Sequence, residues 1–194
     1  MLKEKLKKYK IILASGSPRR QQFFKDLDLD VEIRLKDVEE IYPPELKAVE
    51  ITDFLAKLKA DAFEGELNEN EILVTSDTIV WHQNKALGKP KNAEDAFEMI
   101  KSMSNTTHEV ITSVCFQTNA ASTLLHDITK VTFKDLSDEA ILYYIENYKP
   151  YDKAGAYGIQ EWFGFMAVTK VEGSYTNVMG LPTAKVYEYL STLV

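Results

Sequence analysis

Apolar runs and polar breaks change period several times along the chain. Ile11-Ile12-Leu13-Ala14 is a short continuous apolar run and predicts a buried strand. Ser15-Gly16-Ser17 breaks it, and Pro18 suits the first position of a helix capped by Ser17. That helix is predicted to reach about Leu27 and to bury Phe23, Phe24 and Leu27. Val31 to Leu35 alternates apolar and charged residues, the pattern of a strand with one wet face. A loop with Glu39, Glu40, Pro43 and Pro44 follows. From Glu50 to Phe63 the period becomes helical, with Ile51, Phe54, Leu55, Leu58 and Ala62 on one stripe. Lys57 and Lys59 lie in this helix on different sides, because two residues subtend about 200°. At most one of them faces a given site.

Two short buried strands are predicted next, Ile72 to Thr75 and Ile79 to Trp81, with a turn at Gln83-Asn84-Lys85. Asn92 caps a helix from Ala93 to Met103, with Glu94 and Asp95 in its first turn. Glu109 to Thr118 and Ile128 to Phe133 are rich in Val, Ile, Thr and Phe and read as neighbouring antiparallel strands. Ser137 caps a helix to about Asn147, Phe165 to Val171 reads as a strand, and Pro182 opens a C-terminal helix. Strands and helices interleave without strict βαβ repeats. This predicts a mixed α/β protein with a central sheet, residues 1–194 forming one domain built as two lobes.

Composition narrows the classes. The chain has 194 residues, 45% of them hydrophobic and 27% charged, which suits a sizeable core. The net charge of -7 disfavours sequence-independent binding to nucleic acid, which needs clustered Lys and Arg. It leaves room for a small anion held by local cations. The one cysteine, Cys115, excludes an internal disulfide framework and suits a reducing cytoplasm. It sits in an apolar run with no base beside it and reads as core. No segment approaches the roughly 18 apolar residues of a membrane span. The five lysines of Met1 to Lys10 read as the solvated face of a short helix.

Several segments hold candidate chemistry. Leu13-Ala14-Ser15-Gly16-Ser17-Pro18-Arg19-Arg20 joins a strand end, a small-residue turn and a helix start, an arrangement that offers unpaired amides to an anion. Its two arginines add planar donors suited to phosphate oxygens, although a capped helix with two exposed arginines explains the same residues. No GxxxxGK[ST] loop is present. Asp77, in Thr75-Ser76-Asp77-Thr78, follows a buried apolar run. At a strand end it would ligate Mg²⁺ or Mn²⁺, take a proton from water, or simply cap a turn. Glu39 and Glu40 form a second acidic element, and Gly88-Lys89-Pro90 places a lysine between a flexible and a stiff residue. Asp152 to Gln160 is rich in Gly and Ala and suits either a base pocket or a tight structural loop. Within it Gln160 offers both a donor and an acceptor to a pyrimidine edge. Gly173 to Pro182 is another small-residue loop leading into a helix. His82, His108 and His126 are scattered through strand-like segments without zinc spacing.

Taken in order, these elements resemble the Maf family. Leu13 to Arg20, Ser76 to Thr78, Gly88 to Pro90, Asp152 to Gln160 and Asn177 to Pro182 all match, and the likeness runs from about Ile11 to Leu190. The resemblance implies a mixed α/β fold of the inosine triphosphatase-like kind, with an elongated central sheet flanked by helices and two lobes around a cleft. It implies metal-dependent hydrolysis of a nucleoside triphosphate to the monophosphate and pyrophosphate. By matching positions, Asp77 would be the proton acceptor and, with Glu40, a ligand for Mg or Mn. Lys59 and Lys89 would serve catalysis, and Ser15, Ser17, Arg19 and Arg20 would bind phosphates. Arg20, Thr78 and Gln160 match positions tied to substrate choice and resemble the branch that takes dTTP and UTP. One departure is Ser76, which stands where the family usually has Gly or Ala.

Family analogy also implies a cytoplasmic enzyme, a homodimer, and an association with septum formation and arrest of cell division. Two rivals remain in view. One is a pyrophosphatase for 7-methyl-GTP or other modified nucleotides. The other is a nucleotide-binding regulator of septum formation without turnover.

Overall fold

The structure, a computed structural model, describes residues 1–193. Its helices are α1 (Leu2–Lys5), α2 (Pro18–Asp26), α3 (Val49–Asp61), α4 (Ala93–Ser102), α5 (Asp138–Tyr148), α6 (Trp162–Ala167), α7 (Tyr175–Val178) and α8 (Thr183–Thr192). Its strands are β1 (Lys10–Leu13), β2 (Val31–Ile33), β3 (Glu71–His82), β4 (Lys85–Leu87), β5 (Thr107–Gln117), β6 (Ser122–Phe133) and β7 (Val168–Glu172). Hydrogen-bonded neighbours run β2-β1-β3-β5-β6-β7, with β4 beside β3. The fold is therefore α/β with a mixed sheet. None of the described helices is long and apolar enough to cross a membrane. The chain divides into two compact units, the first made of Met1–Asp77, Thr112–Asp127 and the residues from Gly180, the second of Thr78–Ile111 and Ile128–Met179.

In the first unit β1 lies parallel to both β2 and β3, with Ile11 opposite Val31 on one side and Ile72 on the other. Side chains of a strand alternate between faces. Ile11, Leu13, Ile72, Val74, Val114 and Phe116 accordingly join one cluster, completed by Leu2, Leu6, Phe24, Val186 and Leu190 from the helices. Ile12, Leu73 and Cys115 point the other way, into a cluster with Ala56, Ala60 and Phe63. A sheet covered on both faces needs apolar residues at consecutive positions, which is why β1 reads as an unbroken run. Cys115 is buried, and burial pushes its thiol pKa up, in keeping with a core role.

Helix α3 turns a different stripe inward from the one expected. Ile51, Thr52, Leu55, Ala56 and Ala60 are buried, while Phe54 is 36% exposed. Small residues at 56 and 60 let the helix lie close on the sheet, and a large Phe in their place would hold it off.

The second unit has its own core, in which Phe133, Tyr144, Tyr157 and Phe163 pack with Ile100, Ile141 and Val131. The β3–β4 hairpin turns at Gln83 and Asn84, both with positive φ, as a tight two-residue hairpin requires. Antiparallel pairing joins β6 to β7, Val131 opposite Val171. The segment expected as a strand from Phe165 begins instead as helix α6. Its buried residues, Phe163, Gly164 and Ala167, have helical rather than alternating spacing, and Phe165 is 79% exposed. A Cβ at Gly164 would lie 1.9 Å from the carbonyl oxygen of Ile159, so only glycine lets this helix dock.

Two further expectations are revised. The two short strands before and after Asp77 are one continuous strand, β3, because the small polar residues Thr75 and Ser76 are themselves buried in it. Strand β6 begins at Ser122, six residues before the expected start at Ile128, its first half alternating exposed and half-buried positions. His108 is packed against Phe133 and Tyr157, its Nε2 2.8 Å from the Tyr157 hydroxyl. Burial, and then His82, lowers its pKa to about 3.

One buried ion pair gives the first unit a pH signature. Glu71, 3% exposed, accepts from Arg34 at 2.9 and 3.3 Å and from the Asn68 amide at 3.1 Å. Arg34 and then Asn68 hold its pKa at about 2, against an ordinary 4.5. A carboxylate with a depressed folded pKa stabilises the fold above the unfolded value and loses that contribution as pH falls through the folded one. Glu71→Gln should therefore lower the urea midpoint at pH 7 and remove part of the acid loss expected between pH 4.5 and 2. Parallel pH profiles for variant and parent would contradict this.

Candidate active site

The turn between β1 and α2 is built by its own hydroxyls. The Ala14 amide makes the last sheet bond, to the Val74 carbonyl at 2.9 Å. Ser15 Oγ then accepts from the Ser17 amide at 3.3 Å, and Ser17 Oγ accepts from the Arg20 amide at 3.5 Å. Pro18 occupies the first helical position, where a missing N–H costs nothing. The local reading of this segment as a capped helix start therefore holds.

Arg20 does more than face solvent. Its Nε donates to the Gly180 carbonyl at 2.8 Å, and its Nη1 to the Ser76 carbonyl at 3.1 Å and to Ser15 Oγ at 3.4 Å. Burial lowers its pKa, Asp77 and Glu40 oppose that shift, and Arg19 adds to it. The guanidinium thus fastens the turn to the strand holding Asp77 and to the loop before α8. Ser15 is buried, whereas Ser17 and Arg19 are half-buried at the turn.

Asp77 lies within β3 and not at its end, yet it is reachable for a definite reason. Pairing of β1 with β3 stops at Leu13 and Val74, three residues earlier, where β1 gives way to the serine turn. Alternation puts Leu73, Thr75 and Asp77 on the face covered by α3. Thr75 Oγ1 donates to the Ala56 carbonyl at 2.6 Å, and one turn further along the helix Lys59 Nζ donates to Asp77 Oδ1 at 2.7 Å. The same ammonium lies 3.1 Å from Glu40 Oε1. Lys57, by contrast, pairs with Asp61 on the outside of the helix. Asp77 is 7% exposed, Lys59 half-buried and Glu40 largely exposed.

Two carboxylates around one ammonium form a group that polarises water and attracts a hard cation. Among the described residues no three His, Cys, Asp or Glu are gathered as a metal cage. The donor set still fits Mg²⁺ or Mn²⁺, which bind through one or two carboxylates together with waters and phosphate oxygens. Ser76 Oγ is buried without a hydrogen-bond partner, on the face opposite the Asp77 side chain. The structure therefore brings together Asp77, Glu40 and Lys59, and it bonds Arg20 both to Ser15 Oγ and to the Ser76 carbonyl beside Asp77.

Thr78, Lys89 and Gln160 belong to the second unit. Thr78 follows Asp77 in β3 and is half-buried, and Lys89 is exposed just after β4. The Gly88 carbonyl accepts from the Gly155 amide at 3.0 Å, which joins the Gly88-Lys89-Pro90 segment to the Gly- and Ala-rich loop. Gln160 is half-buried in a turn before α6. Sequence reasoning missed the anchors of that loop, Tyr144 and Glu161. Tyr144 reads from sequence as an ordinary core position of an amphipathic helix.

Several known proteins are similar to this chain. Residues 10–193 match the family described as Maf-like protein. A protein of Flavobacterium johnsoniae named dTTP/UTP pyrophosphatase is 94% identical over 194 residues, the whole of both chains. Others of the same name are 53% identical in Christiangramia forsetii, over 100% of this chain and 99% of that one, and 47% identical in Bacteroides fragilis, over 97% and 98%. Among solved structures, the Ham1 protein of Staphylococcus aureus aligns with a TM-score of 0.56 at 15% identity, covering 95% of this chain and all of that one. This last likeness concerns the fold alone.

Arg20 offers a direct test of the geometry. Arg20→Leu leaves the Gly180 and Ser76 carbonyls without their charged donor and should cost about 2 kcal/mol. Urea unfolding would show it as a lowered midpoint at unchanged slope. An unmoved midpoint would mean that the guanidinium does not fasten these segments.

Proposed function

The chain belongs to the Maf-like protein family, and from that premise we propose that it is a pyrophosphatase cleaving dTTP and UTP between the α and β phosphates. The observation that supports this most is the Lys59-centred trio with Asp77 and Glu40, beside the serine turn that Arg20 fastens. The names of the relatives supply the substrates.

In this reading Asp77 accepts a proton from water as the water oxygen bonds to the α phosphorus. The bond from that phosphorus to the bridging oxygen breaks, and pyrophosphate leaves with the electron pair. Lys59 engages Asp77 Oδ1, so Oδ2 is the oxygen assigned to the water. Ser15, Ser17 and Arg19 meet phosphate oxygens at the turn, and Arg20 holds that turn in place while adding positive charge. Mg²⁺ or Mn²⁺ held by Asp77 and Glu40 would neutralise charge on the triphosphate. Most of the rate gain then comes from positioning and electrostatics. Lys89 as a further phosphate contact, and Thr78 and Gln160 as readers of the base, rest on the family motifs. Gln160 suits uracil and thymine, since its amide can accept from N3–H and donate to O4.

Asp77→Asn keeps the side chain's size and should lower turnover of dTTP and UTP by about 10²–10⁴ while leaving the thermal transition near that of the parent. Pyrophosphate release would be followed from dTTP, UTP, CTP, dGTP and 7-methyl-GTP, with Mg²⁺, with Mn²⁺ and with chelator. A loss smaller than about tenfold removes Asp77 from the proton-transfer role. Release from guanine nucleotides alone overturns the substrate assignment and keeps the chemistry. Nucleotide binding without any release overturns the enzyme.

A further inference from the structure

One network in the second unit has no part in the phosphate chemistry. Tyr144, on α5, is fully buried. Its hydroxyl donates to Glu161 Oε2 at 2.5 Å and accepts from the Gly158 amide at 3.0 Å. The other carboxylate oxygen of Glu161 lies 3.1 Å from Lys153 Nζ, which also reaches Asp152 Oδ1 at 2.7 Å. A single phenol thus ties the middle and the end of the loop from 152 to 161, and the ion pair ties its start. A Cβ at Gly158 would lie 2.8 Å from the Glu161 carboxyl carbon and 3.0 Å from Lys153 Cε. Glycine at this position makes room for the pair.

Gln160 sits between these anchors. Gly158 is bonded to Tyr144, the Ile159 carbonyl abuts Gly164, and Glu161 is bonded on both carboxylate oxygens. The amide of Gln160 has a chemical ambiguity. Rotated by half a turn, it presents its donor and acceptor in exchanged places. In one orientation it complements uracil or thymine, with N3–H and O4. In the other it complements cytosine, with N3 and the N4 amino group. The residue type alone cannot choose between the two bases. A backbone held on both sides restricts how the amide approaches, whereas a loose one lets it adapt to either.

We propose that Tyr144, Glu161 and Lys153 are positioning residues that hold Gln160 in place and so set how sharply the enzyme prefers uracil and thymine over cytosine. The inference rests on the reading that Gln160 contacts the base. It adds Tyr144 and Glu161, which lie outside the family motifs, and a positioning role for Lys153 within one of them, to the determinants of selectivity. Polar groups are well suited to the task. A buried phenol with both a carboxylate and an amide as partners has one low-energy arrangement, and disrupting it leaves buried groups unsatisfied. Burial, and then the bond to Glu161, pushes the Tyr144 pKa up, so the phenol keeps its proton.

The test compares kcat/KM for UTP and CTP in the full chain and in Gln160→Ala, Tyr144→Phe and Glu161→Gln. Gln160→Ala should cut the preference for UTP by about tenfold or more. Tyr144→Phe and Glu161→Gln should cut it by about fivefold, through a raised KM for UTP with kcat little changed. Adding Tyr144→Phe to Gln160→Ala should lower the preference no further, since there is then no amide to position. A merely structural role would give additive losses and an unchanged ratio of the two substrates. Full UTP preference in folded Tyr144→Phe and Glu161→Gln, with the preference lost in Gln160→Ala, overturns the positioning role alone. Full preference in Gln160→Ala overturns the base-reading role and the positioning with it. If Tyr144→Phe fails to fold, Glu161→Gln, which preserves size, decides by the same ratio.

Discussion

Asp77 sits inside a strand that is buried before and after it, and a carboxylate in that position is stable only with a cation held against it. Lys59 supplies that cation, and the requirement reaches outward through α3. The ammonium must come from a helix lying close to the sheet, so α3 presents Ala56 and Ala60 at the contact. The helix must also keep its rotation, and the bond from Thr75 to the Ala56 carbonyl fixes it one turn before the lysine. Glu40 then finds its place on the remaining side of the same ammonium. A chain of small, specific contacts follows from one charge.

Local chemistry was the part legible in the sequence. Ser17, Pro18, Asn92 and Ser137 announced helix starts because capping involves neighbours in the chain, and each hydroxyl or amide makes the expected bond. The unbroken apolar runs of β1 and of the segment before Thr75 identify the core strands. Decisions that depend on distant partners were harder to read. The buried stripe of α3 lies rotated from the one the apolar spacing predicts because alanine and threonine, not phenylalanine, suit a close sheet contact. Strand β3 reads from sequence as two pieces because Thr75 and Ser76 look like a break until their burial is known. Helix α6 resembles the start of a strand because its aromatic residues run directly into the branched residues of β7, and a close backbone approach at Gly164 decides for the helix.

The candidate site divides in the same way. Spacing alone places Lys57 and Lys59 on different sides of the helix, the family likeness selects Lys59, and the structure pairs the two lysines with different carboxylates. The motif order supplied Asp77, Glu40 and the serine turn as one set, and the geometry explains why those residues meet. The dual use of Arg20 could not be read from the motif. An arginine in a phosphate-binding turn suggests a ligand contact, whereas here its guanidinium also binds two backbone carbonyls. Nothing near Tyr144 in sequence indicates that it holds a loop beginning eight residues later.

The bond from Arg20 to Gly180 spans 160 residues of chain. Synthesis proceeds from the N-terminus, so the serine turn and its arginine emerge from the ribosome long before their last partner does. Closing so wide a loop waits on the segment that leads into α8, which begins three residues after Gly180. The nascent protein therefore holds an unfinished serine turn for most of its translation. A product truncated before Gly180 keeps every residue from Ser15 to Gln160 named in the proposed chemistry but lacks the fastening of that turn, so the order of the site depends on chain made long after the site itself.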